Sequence, residues 1–248
     1  MGRSAAPRGA AAPRTLVTAR RSLDTRAQIS STAPRAGVLV SALLIALFAG
    51  SDDASAGFRT QLERAGLANV RDHAPAVQVD LRYAGEDNFT GERLPGYCVA
   101  EPFLRVRAAR ALARAERRLN ADGLGLRILD AYRPARASRA MVRWARSSGN
   151  EHLLNGWIAA RSNHNRGAAV DATLVRTESG RALGMGTAYD AFSSRSATTA
   201  VGGKPLRNRL RLRRALEAEG FRNYRREWWH YDFPSELGAA RRDIALGC

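Results

Sequence analysis

The segment that decides both the fold and the chemistry of this chain is SNHNRGAAVD, at residues 162–171. It places an imidazole and a carboxylate on either side of a glycine. A second segment, EWWH at residues 227–230, supplies another imidazole and another carboxylate. A catalytic zinc ion usually takes three protein ligands and leaves its fourth position to water. We therefore predict that His164, Asp171 and His230 hold one zinc ion, and that the chain carries out metal-assisted hydrolysis.

Two further charged side chains would complete such a site. Glu227 precedes His230 by three residues, so one rigid segment can carry both a metal ligand and a general base. Arg133 keeps its charge at all physiological pH values and presents a planar fork of donors. We predict that Glu227 takes the proton of the attacking water and that Arg133 stabilises the developing oxyanion.

Five motifs occur in one order along the chain. The two segments above follow the patterns S-x-H-x-x-G-x-A-x-D and E-x-W-H. The other three are DLRY with DNFTG at residues 80–91, DAYRP at residues 130–134, and MGT with Asp190 at residues 185–190. Together they resemble the zinc D-alanyl-D-alanine dipeptidases, of the kind that confer vancomycin resistance, within the D,D-peptidases related to the hedgehog fold. The resemblance covers residues 77–233.

The resemblance also implies how substrate is held. Asp190 and Tyr83 match the positions that bind the free amino terminus of a dipeptide, and Ser162 matches a contact to its backbone. Asp130 is expected to orient Arg133. One departure is visible, because many relatives carry histidine where this chain has Ala197.

Hydrophobic periodicity predicts a single α+β domain over residues 57–248, with a mainly antiparallel sheet and flanking helices, as in the hedgehog and D,D-peptidase folds. A short helical start is expected at residues 57–70, and residues 193–203 are expected to be irregular. The other predicted strands are 77–83, 126–130, 168–174 and 224–233, and the other predicted helices are 103–119, 135–147 and 205–219.

Residues 1–56 have the composition of a leader. An apolar run at residues 37–50 follows Arg35 and precedes Ala54-Ser55-Ala56, which fits a cleavage site. The run is too short for a membrane span, so we predict an exported protein, periplasmic or secreted, with no stable span after cleavage. The alternative is a buried core helix.

Two cysteines, Cys98 and Cys248, remain in the predicted mature part. An oxidising compartment permits a disulfide between them, although the spacing alone also allows two unpaired thiols. Neither cysteine has the spacing of a zinc site.

The formal charge of the chain is +17, and Lys204 is its only lysine. Residues 1–56 contain seven arginines and three aspartates, so residues 57–248 keep +13. The arginines are dispersed along predicted helices and are not interleaved with aromatic residues. We therefore expect no nucleic-acid partner, with attraction to an anionic envelope or a polyanion as an alternative.

The expected function is zinc-dependent hydrolysis of D-alanyl-D-alanine or a similar D,D-dipeptide in peptidoglycan turnover. A D,D- or L,D-carboxypeptidase that trims stem peptides would share the same metal site. A non-catalytic, zinc-containing envelope-binding module is a second alternative. The preferred side chains of the substrate, the native metal and the oligomeric state are left open by the sequence.

Overall fold

The computed structural model describes residues 57–248 of the chain. The expected signal peptide and its cleavage site fall at residues 1–56, outside the described residues. Within residues 57–248, no helix has the length and apolarity needed to cross a bilayer.

A five-stranded sheet forms the centre of the described domain, and its strands lie in the order β2 (Gln78–Val79), β4 (Leu124–Asp130), β5 (Ala169–Arg176), β7 (His230–Asp232) and β6 (Arg222–Asn223). Only the β2–β4 pair is parallel, and the other three pairs are antiparallel. The prediction of a mainly antiparallel sheet is therefore confirmed.

Four helices and a small second sheet surround this centre. The second sheet pairs β1 (Leu67–Asn69) with β3 (Phe103–Arg105) in antiparallel fashion. Helix α1 covers residues 57–64, and the other helices are α2 (Val106–Asn120), α3 (Ala135–Ser147) and α4 (Gly203–Glu217). The bounds of α3 agree with the predicted helix at residues 135–147.

The core forms where helices pack on the sheet. The buried face of α2 is built largely from alanine, with Leu112 and Leu119 completing the stripe that faces β4 and α4. Small side chains let the helix approach the sheet closely. Burial of each leucine side chain contributes about 1.5–3 kcal/mol to the free energy of folding. The arginines of α2 lie mostly on the opposite, exposed face, as the periodicity predicts.

Four predicted elements were wrong in detail, and three of them lie in the first half of the described domain. Residues 103–105 are a strand and not the start of α2, because they pair with β1. The strand predicted at residues 77–83 stops at Val79, and Tyr83 lies in a 3-10 turn over Arg82–Ala84. The helical start predicted at residues 57–70 ends early, where Gly66 adopts a φ of 80° and β1 follows.

The strand predicted at residues 224–233 is the connecting loop and the second strand of a hairpin. Strands β6 and β7 pair with each other, and a turn between them is closed by the hydrogen bond from the Glu227 amide to the Tyr224 carbonyl, 2.9 Å long. Glu227 therefore lies on the connecting loop, whereas His230 begins β7.

The C-terminal segment is joined to the body of the domain. The sulfurs of Cys98 and Cys248 are 2.06 Å apart, so the disulfide that the sequence permitted is present in the structure. The Leu246 carbonyl also accepts hydrogen bonds from the amides of Cys98 and Val99, at 2.9 and 3.1 Å.

Candidate metal centre and substrate cleft

The pairing of β5 with β7 brings two of the predicted ligands together. Asp171 lies directly opposite His230 in this antiparallel ladder. The third, His164, lies in a short 3-10 turn that leads into β5. Gly167 ends that turn with a φ of 67°, and a Cβ at this position would collide with the Leu67 side chain. Only glycine gives the loop this close approach without strain.

The three predicted ligands form one compact cluster. Asp171 Oδ1 is 3.0 Å from His230 Nδ1 and 3.3 Å from His164 Nε2, and the two imidazole nitrogens are 3.1 Å apart. The donor atoms all lie within 4.8 Å of one another. Two imidazole nitrogens and a carboxylate oxygen converging at this range suit a divalent transition metal such as zinc.

In each imidazole, the ring nitrogen that faces away from the cluster, called here the outer nitrogen, contacts a hydrogen-bond acceptor. His164 Nδ1 is 2.7 Å from the Ala131 carbonyl, and His230 Nε2 is 3.1 Å from Asp232 Oδ1. Asn163 Nδ2 donates to the same Asp232 oxygen at 3.0 Å. A proton on each outer nitrogen leaves the inner lone pair free to face a metal ion.

Asp232 was missed by the sequence analysis. A signal for it exists, because residues i and i+2 of a strand lie on the same face, and Asp232 follows His230 by two residues.

The carboxylate and the imidazoles of this cluster shift one another's pKa values. Burial works against ionisation of Asp171, yet the imidazoles of His164 and His230 hold its pKa well below the ordinary value. Burial alone would lower the pKa of His230, but its hydrogen bonds to Asp171 and Asp232 raise it well above the ordinary value. The carboxylate and the imidazoles therefore each stabilise the charged form of the other.

Glu227 lies beside the cluster, where the sequence predicted a base. One of its carboxylate oxygens is 4.0 Å from His230 Nδ1, and the side chain is buried. Burial raises the pKa of Glu227 to about 7, with a further contribution from the charge of Asp171. The geometry therefore places a proton acceptor next to the potential metal ligands.

Arg133 is held in position by Asp130, as the sequence predicted. Its Nε and Nη2 atoms donate to Asp130 Oδ2 at 2.9 and 2.6 Å, and Tyr97 donates to the other Asp130 oxygen at 2.6 Å. The guanidinium also lies over the Tyr83 ring and 4.0 Å from Asp171 Oδ2. It is buried, so its charge acts with little screening from water.

Asp190 and Tyr83 contact each other near the cluster. The Tyr83 hydroxyl donates to Asp190 Oδ2 at 2.9 Å. Desolvation raises the pKa of Asp190 well above the ordinary value, and the charge of Asp171 adds to this effect. Asp190 has no ion-pair partner among residues 57–248, so a bound cation would relieve an unfavourable charge.

Tyr189 links this pair to the metal cluster and was also missed by the sequence analysis. Its hydroxyl lies 2.8 Å from Asp171 Oδ2 and 3.0 Å from the Tyr83 hydroxyl. The contact engages the Asp171 oxygen that does not face the two imidazoles. A tyrosine beside Asp190 carries no pattern that distinguishes it from a packing residue.

Ser162 is half-buried at the same cleft. Its hydroxyl accepts a hydrogen bond from the His164 amide at 3.2 Å, which helps to shape the turn that carries the ligand.

One cleft of about 300 Å³ brings together all the predicted site residues other than the disulfide. Its apolar wall includes Phe89, Trp157, Ile158 and Phe192, which come from three separate loops. The predicted polar residues that line it are Tyr83, Arg133, Ser162, His164, Asp171, Asp190, Glu227 and His230.

The chain is similar to proteins of one family over most of the described domain. A family profile described as D-ala-D-ala dipeptidase matches residues 63–245. A D-alanyl-D-alanine dipeptidase of Enterococcus faecium is 35% identical over 171 residues, which cover 62% of this chain and 85% of that relative.

Two relatives from other bacteria show comparable similarity. The D-alanyl-D-alanine dipeptidase of Streptomyces coelicolor is 36% identical over 187 residues, covering 68% of this chain and 92% of the relative. That of Escherichia coli K12 is 36% identical over 162 residues, covering 64% and 80%.

Proposed function

Since the chain belongs to the D-ala-D-ala dipeptidase family, we propose that it is a zinc metallopeptidase that hydrolyses D-alanyl-D-alanine or a similar D,D-dipeptide. The observation that carries the proposal is the single cleft in which a His-Asp-His cluster, a carboxylate beside it and a second, unpaired carboxylate meet. These three elements could hold a metal ion, transfer a proton and bind an ammonium group, which suits hydrolysis of a small zwitterionic peptide.

The donor set fits one zinc ion per chain. His164 would bind it through Nε2, His230 through Nδ1 and Asp171 through Oδ1, because these three atoms face one another. The outer nitrogens of the two imidazoles contact the Ala131 carbonyl and the Asp232 carboxylate instead. A zinc ion held there would act as a Lewis acid and would lower the pKa of water to about 7.

The proton transfers are assigned to Glu227. Its carboxylate is close to the ligand His230 and on the cleft, so it can take a proton from the attacking water and deliver it to the departing amine. Arg133 would stabilise the negative charge that develops on the scissile carbonyl oxygen, because its guanidinium is held rigidly by Asp130 at the edge of the cluster.

Recognition of the free amino terminus is assigned to Asp190 and Tyr83. An ammonium group would supply the positive partner that the Asp190 carboxylate lacks, and the Tyr83 hydroxyl fixes the orientation of that carboxylate. Ser162 lies on the same cleft and is assigned to the substrate backbone. This arrangement favours a dipeptidase, since an acylated amine would leave Asp190 unpaired.

We further propose that the protein is exported and acts in peptidoglycan turnover, as a periplasmic or secreted enzyme. The apolar run at residues 37–50 with its small-residue exit supports export. The disulfide between Cys98 and Cys248 is compatible with an oxidising compartment. Amino-terminal sequencing of the protein recovered from cell fractions would test this; an uncleaved cytosolic product would contradict it.

The experiment that tests the activity is hydrolysis by the full chain after chelation, with and without restored zinc. The substrates are D-Ala-D-Ala, L-Ala-L-Ala and N-acetyl-D-Ala-D-Ala. We expect zinc-dependent cleavage of the free D,D-dipeptide alone. Cleavage of the acetylated peptide would move the assignment to a carboxypeptidase. Zinc binding without cleavage of any substrate would identify a non-catalytic binding module.

A further inference from the structure

Arg209 is a completely buried arginine on α4 that the proposed chemistry does not use. No carboxylate lies within ion-pair distance of it in the described part of the chain. Burial lowers the pKa of Arg209 to about 10, so the side chain is still cationic at neutral pH. A buried charge without a counter-ion is costly unless its donors are well satisfied, which raises the question of what this arginine holds.

Its donors bind both ends of one loop. Nε donates to the Met185 carbonyl at 2.7 Å, while Nη1 donates to the carbonyls of Arg195 and Ala197 at 2.9 and 2.7 Å. Nη2 is 3.3 Å from the Thr187 hydroxyl. These acceptors bracket residues 185–197, the loop that carries Asp190, so one guanidinium connects the entry of the loop to its exit.

The same arginine contacts the segment that carries the proposed base. Its guanidinium carbon lies 5.8 Å from the centre of the Trp228 ring. Trp228 follows Glu227 in the sequence, and its Nε1 donates to the Thr187 hydroxyl at 2.9 Å. The Trp228 amide also donates to the Ser196 carbonyl at 3.0 Å. The loop and the base segment therefore form one hydrogen-bonded unit around Arg209.

The loop held in this way carries a residue with an uncommon backbone conformation. Asp190 has a φ of 54°, the only positive φ of a non-glycine residue among residues 57–248. A left-handed backbone is uncommon in residues with a side chain and persists only when surrounding contacts determine it. The contacts at both ends of the loop provide such a constraint.

We propose that Arg209 is a positioning residue that sets the place of Asp190 relative to Glu227, and so aligns the anchored amine of the substrate with the proton acceptor. The inference rests on the proposed dipeptidase function. A planar fork with several donors suits this task, because one side chain can bind several carbonyls in fixed directions. Displacements of about 1 Å in such an arrangement can reduce turnover by about 100-fold.

The test is a double-mutant cycle in the zinc-loaded full chain. The variants are R209M, D190N and the double variant, with kcat and KM for D-Ala-D-Ala measured for each. We expect R209M to raise KM by about tenfold or more and to lower kcat, with little further change in KM when it is added to D190N. R209K should fall between R209M and the parent, because it keeps the charge and loses the fork.

Arg213 provides the matched control on the same helix. It lies one turn further along α4 and pairs with Glu217 at 2.9 Å on the surface. R213M should leave KM unchanged. Zinc affinity, measured by chelator competition, should change less than threefold in R209M, about 0.65 kcal/mol. A lower melting temperature with unchanged KM would show a purely structural role and overturn the inference.

The remaining outcomes are also decisive. Additive effects of R209M and D190N on KM would mean that Arg209 does not act through Asp190, which overturns the inference while the proposed function stands. If R209M does not fold, T187V replaces it in the cycle, because Thr187 joins Arg209 to Trp228; additivity there would overturn the inference equally. A parent enzyme that does not cleave D-Ala-D-Ala would overturn both.

Discussion

The imidazole of His230 lies between two carboxylates. Asp171 is opposite it on the adjacent strand β5, and Asp232 is two residues further along β7. The His230 Nδ1 atom is 3.0 Å from Asp171 Oδ1, and its Nε2 atom is 3.1 Å from Asp232 Oδ1. Because Asn163 also donates to that Asp232 oxygen, the ring orientation is determined from outside the metal cluster.

Replacement of Asp232 should therefore weaken metal binding. We expect D232N to lower zinc affinity by about 10–100-fold, because a neutral amide oxygen is a weaker acceptor than the carboxylate and holds the tautomer and orientation of the His230 ring less firmly. Competition with a chromophoric chelator measures this. D122N serves as the control, because Asp122 lies in an exposed turn far from Asp232 in the sequence. Equal zinc affinity in D232N and the parent would show that Asp232 does not orient the ligand.

Replacement of Glu227 should separate catalysis from metal binding. We expect E227Q to lower kcat for D-Ala-D-Ala by about 10²–10⁴-fold, because the amide cannot accept the proton of water. Zinc stoichiometry should stay the same, since Glu227 is not among the three predicted ligands. E217Q, at the surface partner of Arg213, is the control. Hydrolysis by E227Q at the parental rate would exclude Glu227 as the base.

Replacement of Asp190 should affect recognition of the amine more than metal binding. We expect D190N to raise KM for D-Ala-D-Ala by about tenfold or more, because the ammonium group loses a charged partner in a poorly solvated site. Y83F should have a smaller effect in the same direction, since it removes only the hydroxyl that orients Asp190. Steady-state kinetics measure both variants. An unchanged KM in D190N would place the amine elsewhere.

The disulfide should contribute to stability and not to chemistry. We expect the double variant C98S/C248S to lose about 2–5 kcal/mol of unfolding free energy, because the bridge spans 150 residues and restricts the unfolded chain. Its kcat should be unchanged at temperatures where it is folded. Denaturant unfolding under oxidising and reducing conditions measures the difference. Equal free energies of unfolding for the parent and the double variant under oxidising conditions would contradict the prediction.

Gly167 should tolerate no side chain. We expect G167A to lose more than about 1 kcal/mol from the left-handed backbone alone, and further stability from the collision with Leu67. Gly149 provides a matched control, because its φ is 76° and an added Cβ meets no atom within 4 Å. Denaturant unfolding compares G167A with G149A. Equal losses in the two variants would show that the close approach at Gly167 has no cost.

Helix α3 shows where local pattern was sufficient. Its predicted bounds of residues 135–147 agree with the structure, since Pro134 precedes it and a left-handed Gly149 follows it. The loop after β6 shows where local pattern failed. Apolar residues around Trp228 and Trp229 resemble one strand, but the turn at Glu227 depends on a hydrogen bond to Tyr224 and on packing against residues 185–197.

The sequence by itself determined the residue types that converge in the cleft, because the chemistry of zinc and of a dipeptide requires imidazoles, carboxylates and a guanidinium in recognisable motifs. Apart from Asp130, which the sequence predicted as the partner of Arg133, tertiary structure decided which residues support them. Tyr189 and Arg209 act through contacts between loops, and such contacts leave no periodic signal in the chain. Asp232 has the i, i+2 spacing from His230, but only the folded hairpin shows that its carboxylate contacts the imidazole. The physical reason is that a ligand is selected for its chemistry, whereas a supporting residue is defined by the distances that folding creates.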